Sequence, residues 1–212
     1  MELLDALRRE HETIEAVTST LVGYAKGRAR SEGDPADLAR FVRFFEAFAG
    51  AYHHGREEGV LFPALVEHTE VPKGRGPIAT LLADHAELHA SMSAWSSLDG
   101  APLLEAVTRY ASRLLHHIDA ETSVLFPECE SRFRRVSVLE LESREPTDEE
   151  LAARDDALSL VERYGAAPFV DPSRGEGCVC CPAYGDRCDG VEREWSSDVE
   201  WEDMMARVGG SD

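Results

Sequence analysis

The sequence lacks the features that define several common classes of protein. It has no uncharged stretch long enough to span a bilayer and no basic start followed by an apolar export core, so we expect a cytoplasmic protein without a membrane partner. Its net charge of -19 disfavours binding to nucleic acid, because the phosphates repel an acidic surface. No phosphate loop, nucleophile–base triad or glycosidase carboxylate pair is evident. These absences disfavour hydrolytic chemistry.

Sustained alternation of apolar and polar residues, the pattern of a half-buried strand, is also missing. Residues 1–135 carry four long helical patterns instead, separated by turn-forming segments at 33–35, 72–77 and 99–102. Short connections between long helices place successive helices side by side and antiparallel. The sequence therefore predicts an all-α, antiparallel up-down-up-down four-helix bundle as the first domain.

The rest of the chain, residues 136–212, differs in composition and pattern. Residues 137–212 carry a net charge of -13 out of the total of -19, and helical periodicity weakens there. Thr147 and Glu150 nevertheless have the spacing of a capping box, which predicts a short helix ending near Gly165. We expect an acidic, partly irregular C-terminal extension, and it is the candidate contact surface for an unidentified protein partner.

Ionisable residues lie on the apolar stripes of the predicted helices. His11, for example, continues a row of leucine and isoleucine residues spaced three and four apart. Burying such groups costs several kcal/mol each, which metal coordination can offset. The alternative, a metal-free network of buried histidines, leaves the carboxylates unpaired in the core. The candidate metal ligands are His11, His53, Glu57, His85, His89, His117 and Glu121.

An internal repeat supports this choice of ligands. Residues 52–63 align without gaps with residues 116–127, and both segments end in Leu-Phe-Pro. Each copy contains a histidine and a glutamate four residues apart, which project from one helix face toward a shared centre. The alignment pairs His53 with His117 and Glu57 with Glu121.

The repeat also decides between two histidine–glutamate pairs in the second helix. The pair that lies one residue further on has no counterpart, because His54 aligns with Ile118 and Glu58 aligns with Thr122. We therefore expect these residues to support the ligands or to lie at the surface: His54, Glu58 and His116. His68, near the end of the same helix, is expected to be exposed.

Over residues 1–135 this pattern resembles the hemerythrin-like domains of the HHE cation-binding family. The matching features are His11, two His-x-x-x-Glu motifs that each run into Leu-Phe-Pro, and a His-x-x-x-His motif between them. The resemblance implies a centre of two non-haem iron ions. It implies that His85, His89 and His117 bind one iron, that His11 and His53 bind the other, and that Glu57 and Glu121 bridge them. The last motif departs from oxygen-carrying hemerythrins, which end in an aspartate one residue further on.

Counting ligands indicates what such a centre can do. Five histidines and two bridging carboxylates supply about nine bonds, and an oxo or hydroxo bridge adds about two, against about twelve positions for two octahedral ions. One position stays open, and an open ferrous site accepts dioxygen, nitric oxide or peroxide. We expect a protein that binds or senses a small diatomic or oxidant. The alternatives are a redox enzyme that reduces peroxide or nitric oxide, an iron buffer, or a site that holds manganese or zinc.

Most of the cysteines lie in the C-terminal extension, in a short segment. Four thiolates can hold zinc or an iron–sulfur cluster, although the spacing is not that of two Cys-x-x-Cys knuckles. The candidate second metal or redox site consists of Cys178, Cys180, Cys181 and Cys188. The alternative is a set of reduced, exposed thiols in a flexible tail. Cys129, outside this segment, is expected to be a small buried hydrophobe.

Overall fold

The structure, a computed structural model, describes residues 1–166 and 195–209. Every regular element within these residues is a helix and none is a strand, as the sequence predicts. The first helical run is α1 (Glu2–Arg28). The second run consists of α2 (Asp37–Phe44), π-helical segments at Phe45–His54 and Glu57–Leu61, and α3 (Phe62–Thr69). None of the helices in these described residues is both long and apolar enough for a bilayer crossing.

The third and fourth helical runs also each consist of several helical segments. The third consists of α4 (Gly76–Ser91) and a 3₁₀ segment (Met92–Ser97), and the fourth of α5 (Gly100–Ala120), a π-helical segment (Glu121–Leu125) and α6 (Phe126–Arg135). α1 and α4 both pack against α5, and α3 packs against α6. The up-down-up-down order of the four runs stays a prediction.

Proline explains the π-helical turns that occur at the same place in the second and fourth runs. Pro63 and Pro127 lie in the first turns of α3 and α6. A proline inside a continuous helix lacks an N–H donor, and its ring clashes with the carbonyl group four residues earlier. The π-helical segments directly before the two prolines widen the helix at those carbonyl groups.

The buried apolar side chains form two clusters, one toward each end of the bundle. One cluster includes Trp95 and Tyr110, and the other includes Phe126 and Phe133. Along α1, Leu7 belongs to the second cluster and Ile14 to the first, and His11 lies between them. The candidate metal ligands therefore lie in a polar layer between two apolar cores.

The next helix, α7 (Asp148–Tyr164), begins and ends as the sequence predicts. The backbone N–H of Thr147 donates to Glu150 Oε2 at 2.7 Å, and the backbone N–H of Glu150 donates to Thr147 Oγ1 at 3.3 Å, which completes the capping box. Gly165 follows the last turn with a φ of 77°. The capping signals in the sequence are sufficient to set both ends of this helix.

α7 is packed onto the bundle through α1, α2 and the Phe45–His54 segment. Ala157 and Leu160 are fully buried in the first apolar cluster. Asp37 Oδ2, on α2, accepts hydrogen bonds from Arg163 at 2.8 Å and from Tyr164 Oη at 2.6 Å. This part of the acidic extension shares a core with residues 1–135, while the domain boundary at 135 stays a prediction.

The structure describes the C-terminal part of the chain from Trp195 to residue 209, and this part contains a last helix, α8 (Asp198–Gly209). Trp195 is 2% exposed and belongs to the second apolar cluster, and the Arg132 guanidinium lies 5.7 Å from its ring centroid. Arg75 donates a hydrogen bond to the Ser196 carbonyl at 2.7 Å. These contacts hold the start of the segment against the bundle.

Candidate metal centre

The structure gathers buried histidine and glutamate side chains into two groups that share one carboxylate. The first group contains His54, Glu57, His85 and His117, and the second contains His11, His53, Glu57 and Glu121. Within each group, one ligand atom of every residue lies within 4.8 Å of those of the others. This geometry allows one metal ion per group, with Glu57 between the two.

The two glutamates face both groups. Glu57 Oε1 lies 3.5 Å from His53 Nε2, and its Oε2 lies 3.6 Å from His85 Nε2. Glu121 Oε2 lies 3.2 Å from the Nε2 atoms of both His11 and His117. Each carboxylate is therefore positioned to bridge the two groups.

Both carboxylates are fully buried, and none of the four oxygens of Glu57 and Glu121 has a hydrogen-bond partner among the described residues. Burying unpaired carboxylates costs several kcal/mol each unless cations compensate. Two metal ions would supply this compensation, and carboxylate oxygens with imidazole nitrogens are a donor set that suits iron. The residues that are present thus fit a pair of metal ions.

Electrostatics supports the same conclusion. Burial, and then the charge of Glu121, raise the pKa of Glu57 well above its ordinary value. Burial disfavours a charged His117, but the carboxylates of Glu121 and Asp84 outweigh it and raise the pKa of His117 to about 10. Burial lowers the pKa of His53 to about 4, which keeps this imidazole neutral and able to coordinate a metal. Without cations, the cluster therefore resists carrying two carboxylate charges.

The outer nitrogens of several imidazoles have hydrogen-bond partners, which leaves the inner nitrogens for the centre. Such partners fix the tautomer and the orientation of metal-binding histidines. The partners are Thr122 Oγ1 at 3.0 Å from His11 Nδ1, Glu10 Oε2 at 2.8 Å from His53 Nδ1, and Glu58 Oε1 at 2.7 Å from His85 Nδ1. The Nε2 atoms of these rings consequently point toward the two glutamates.

Six of the seven predicted ligands come together in these groups, but His89 does not. Its side chain is exposed on α4, one turn beyond His85, and it belongs to neither group. The first group takes its third imidazole from His54 instead, whose ring stacks on that of His85 with centroids 3.9 Å apart. The sequence predicts that His54 lies outside the ligand set, whereas the structure places its ring within the first group.

The physical reason is the helix type around His54. The Phe45–His54 segment is π-helical, and its wider turn, with i→i+5 hydrogen bonds, changes the direction in which successive side chains point. The neighbouring His53 and His54 both face the centre as a result. Gly50 lies within this segment, and a Cβ atom there would lie 3.1 Å from the Phe45 carbonyl oxygen. A regular α-helical spacing could not reveal this.

The remaining predictions about single residues can be compared with their positions. Glu58 supports the centre through its contact with His85, and His116 is half-buried. His68 is exposed near the end of α3, and Cys129 is fully buried, as expected for both. The candidate cysteine site lies outside the described residues, namely Cys178, Cys180, Cys181 and Cys188.

A helical protein whose buried histidines and glutamates form two groups around a shared carboxylate has the arrangement of a metal-binding bundle. A family model, the hemerythrin HHE cation binding domain, matches residues 2–129. The chain therefore belongs to the hemerythrin HHE family, as its motifs predict. Neither the curated proteins nor the solved structures gave a significant match.

Proposed function

We propose that this chain binds two non-haem iron ions and that a small diatomic molecule or oxidant is bound or sensed there. Dioxygen, nitric oxide and peroxide are the candidate ligands. The observation that carries the proposal is the pair Glu57 and Glu121, whose buried oxygens have no hydrogen-bond partner among the described residues and face both groups of ligands. Cations bound between the groups would compensate the charge of these carboxylates.

The two groups would hold the ions unequally. His54, His85 and His117 would bind one ion, His11 and His53 would bind the other, and both glutamates would lie between them. When bound, iron supplies Lewis acidity and a change of oxidation state for reaction with small ligands. One coordination position would stay open for a small ligand, as the count of ligands predicts.

Aromatic side chains from the two Leu-Phe-Pro segments shield the centre from water. The Phe126 ring stacks on His11 with centroids 5.4 Å apart, and the Phe62 ring stacks on His85 at 6.0 Å. A mostly apolar cavity of about 390 Å³ adjoins Phe62 and Glu58, which both contact His85. Apolar surroundings favour small uncharged ligands over hydrated ions.

The test is metal analysis followed by spectroscopy of the reduced protein. We expect about two iron ions per chain, the number that two octahedral positions require. A charge-transfer spectrum should then change reversibly when the ferrous protein meets dioxygen or nitric oxide. A spectrum indifferent to both ligands would remove the binding proposal, and catalytic consumption of peroxide or nitric oxide would replace it by a redox enzyme.

A further inference from the structure

Glu10, the residue before His11 on α1, contacts a ligand on the second helical run. The His53 Nδ1–H donates a hydrogen bond to Glu10 Oε2 at 2.8 Å, and the Arg56 guanidinium donates to the same oxygen. Arg56 is itself buried, and its guanidinium lies 4.0 Å from the Tyr52 ring centroid. Glu10 and Arg56, which we name the Glu10 clamp, therefore hold the outer side of this imidazole firmly.

Asp84, the residue before His85 on α4, has the equivalent place beside His117. Its Oδ2 lies 3.8 Å from His117 Nδ1, which is longer than a hydrogen bond, and its Oδ1 accepts from Arg113 at 2.8 and 3.1 Å. Arg113 is 38% exposed and also pairs with Glu87 at 2.6 Å. Asp84 and Arg113, which we name the Asp84 clamp, are thus more exposed to solvent than the Glu10 clamp and lie further from their histidine.

We propose that Glu10 is the positioning residue of His53, through its hydrogen bond to Nδ1, and that Asp84, beyond hydrogen-bond distance of His117 Nδ1, orients His117 more weakly through its charge. The proposal rests on the metal centre proposed above. A carboxylate that accepts from the Nδ1–H of an imidazole fixes its tautomer and makes its Nε2 a better metal ligand. In each of the dipeptides Glu10-His11 and Asp84-His85, the histidine would bind metal and the acidic residue would orient a histidine on a neighbouring run.

The first test is a titration of the full chain with cobalt(II) in competition with a chelator. The visible absorption of bound cobalt reports how much metal the chain holds. Glu10→Gln and Asp84→Asn keep the size of each side chain and remove its charge. We expect Glu10→Gln to weaken one of the two binding steps by about 10–100-fold, and Asp84→Asn to have a smaller effect. Glu12→Gln, at an exposed position on α1, is the matched control and should bind as the original protein does. Unchanged cobalt binding by Glu10→Gln would overturn the proposal.

The second test needs no metal and separates this proposal from the proposed function. Nitrogen NMR of the imidazole rings in the metal-free protein should show His53 as a single tautomer with the proton on Nδ1. In Glu10→Ala, which removes the acceptor, this preference should be lost, whereas Glu10→Gln should keep it, because Arg56 donates to the same oxygen and would orient the amide oxygen toward the ring. Loss of the preference in a Glu10→Ala chain that binds no metal would contradict the proposed function alone. An unchanged tautomer in folded Glu10→Ala would contradict the positioning role itself.

Discussion

The two copies of the internal repeat, residues 52–63 and 116–127, share their histidine, glutamate and Leu-Phe-Pro positions, yet they contribute unequally to the centre. The helix leading into the first copy is π-helical over Phe45–His54, whereas the equivalent stretch before the second copy is α-helical. His54 enters the centre, and its counterpart Ile118 joins the apolar core. The first copy therefore supplies two imidazoles, His53 and His54, one to each group, whereas the second copy supplies one, His117.

The comparison teaches that helix geometry, as well as residue identity, sets the number of ligands. Elsewhere the copies are equivalent, because Phe62 stacks on His85 and Phe126 stacks on His11. The π-helical segment Phe45–His54 breaks this equivalence by turning one additional side chain inward. The predictions below test the equivalent positions first and the differing ones afterwards.

The largest effect is expected at the equivalent glutamates. Glu57→Ala or Glu121→Ala removes a ligand from both metal positions, because each carboxylate faces both groups. Bound iron, measured by elemental analysis, should fall from about two ions per chain to fewer than one. Glu46→Ala changes an exposed acid of the same helical run and should keep the full content. Full occupancy in either glutamate variant would contradict the bridging arrangement.

The position at which the copies differ is tested by comparing His54→Ala with His89→Ala. His54 is buried in the first group and His89 is exposed on α4. We expect the first variant to lose about one of two iron ions and the second to keep both, because only a donor inside the group affects the ion. The reverse result would restore the ligand set that the spacing of α4 indicates.

The π-helical turn itself is tested by two glycine substitutions in the second run. A Cβ atom at Gly50 would lie 3.1 Å from the Phe45 carbonyl oxygen, whereas one at Gly59 would meet nothing within 4 Å. Gly59→Ala should stabilise the protein by about 0.5–1 kcal/mol through helix propensity. Gly50→Ala should lose about 1 kcal/mol, because the crowding outweighs that gain. Urea unfolding measures both changes, and stabilisation by Gly50→Ala would show that the turn does not require glycine.

The smallest effect is expected in α7, which lies outside both copies. The Arg144 guanidinium and the backbone and hydroxyl of Thr147 lower the pKa of Glu150 from 4.5 to about 2, although burial opposes them. The ionised carboxylate therefore stabilises the fold above about pH 4.5, and this contribution disappears as the pH falls toward about 2. Glu150→Gln should cost about 0.5 kcal/mol near neutral pH, since Arg144 is half-exposed.

The control for that variant is iron content, which should stay unchanged because α7 contributes no residue to either group. The difference in stability between the two proteins, measured by urea unfolding across pH, should shrink toward zero in acid. A difference that persists at about pH 2 would show that the ion pair is not its source.

Much of the fold could be predicted from spacing alone. Apolar residues three and four apart mark the four runs, and the repeat selects His53 over its neighbours as an aligned ligand. The capping signals at Thr147 and Gly165 fix α7. What spacing could not give was His54, because periodicity assumes a regular α-helix and the Phe45–His54 segment is π-helical.

The packing of α7 against the bundle could not be predicted from the sequence, for a different reason. The acidic composition of residues 136–212 indicates a solvated extension, but composition averages over both faces of a helix. Ala153, Ala157 and Leu160 form a narrow buried stripe between the acidic residues. Its partner surface, including Asp37, lies more than a hundred residues earlier in the chain, so one local pattern cannot reveal it.

The central claim is tested most directly by diffraction at the iron absorption edge from crystals of the iron-loaded protein. The anomalous map should contain two iron positions on either side of Glu57, one beside His54 and the other beside His11, with no iron near His89. A single iron position, or an ion bound through His89, would contradict the account.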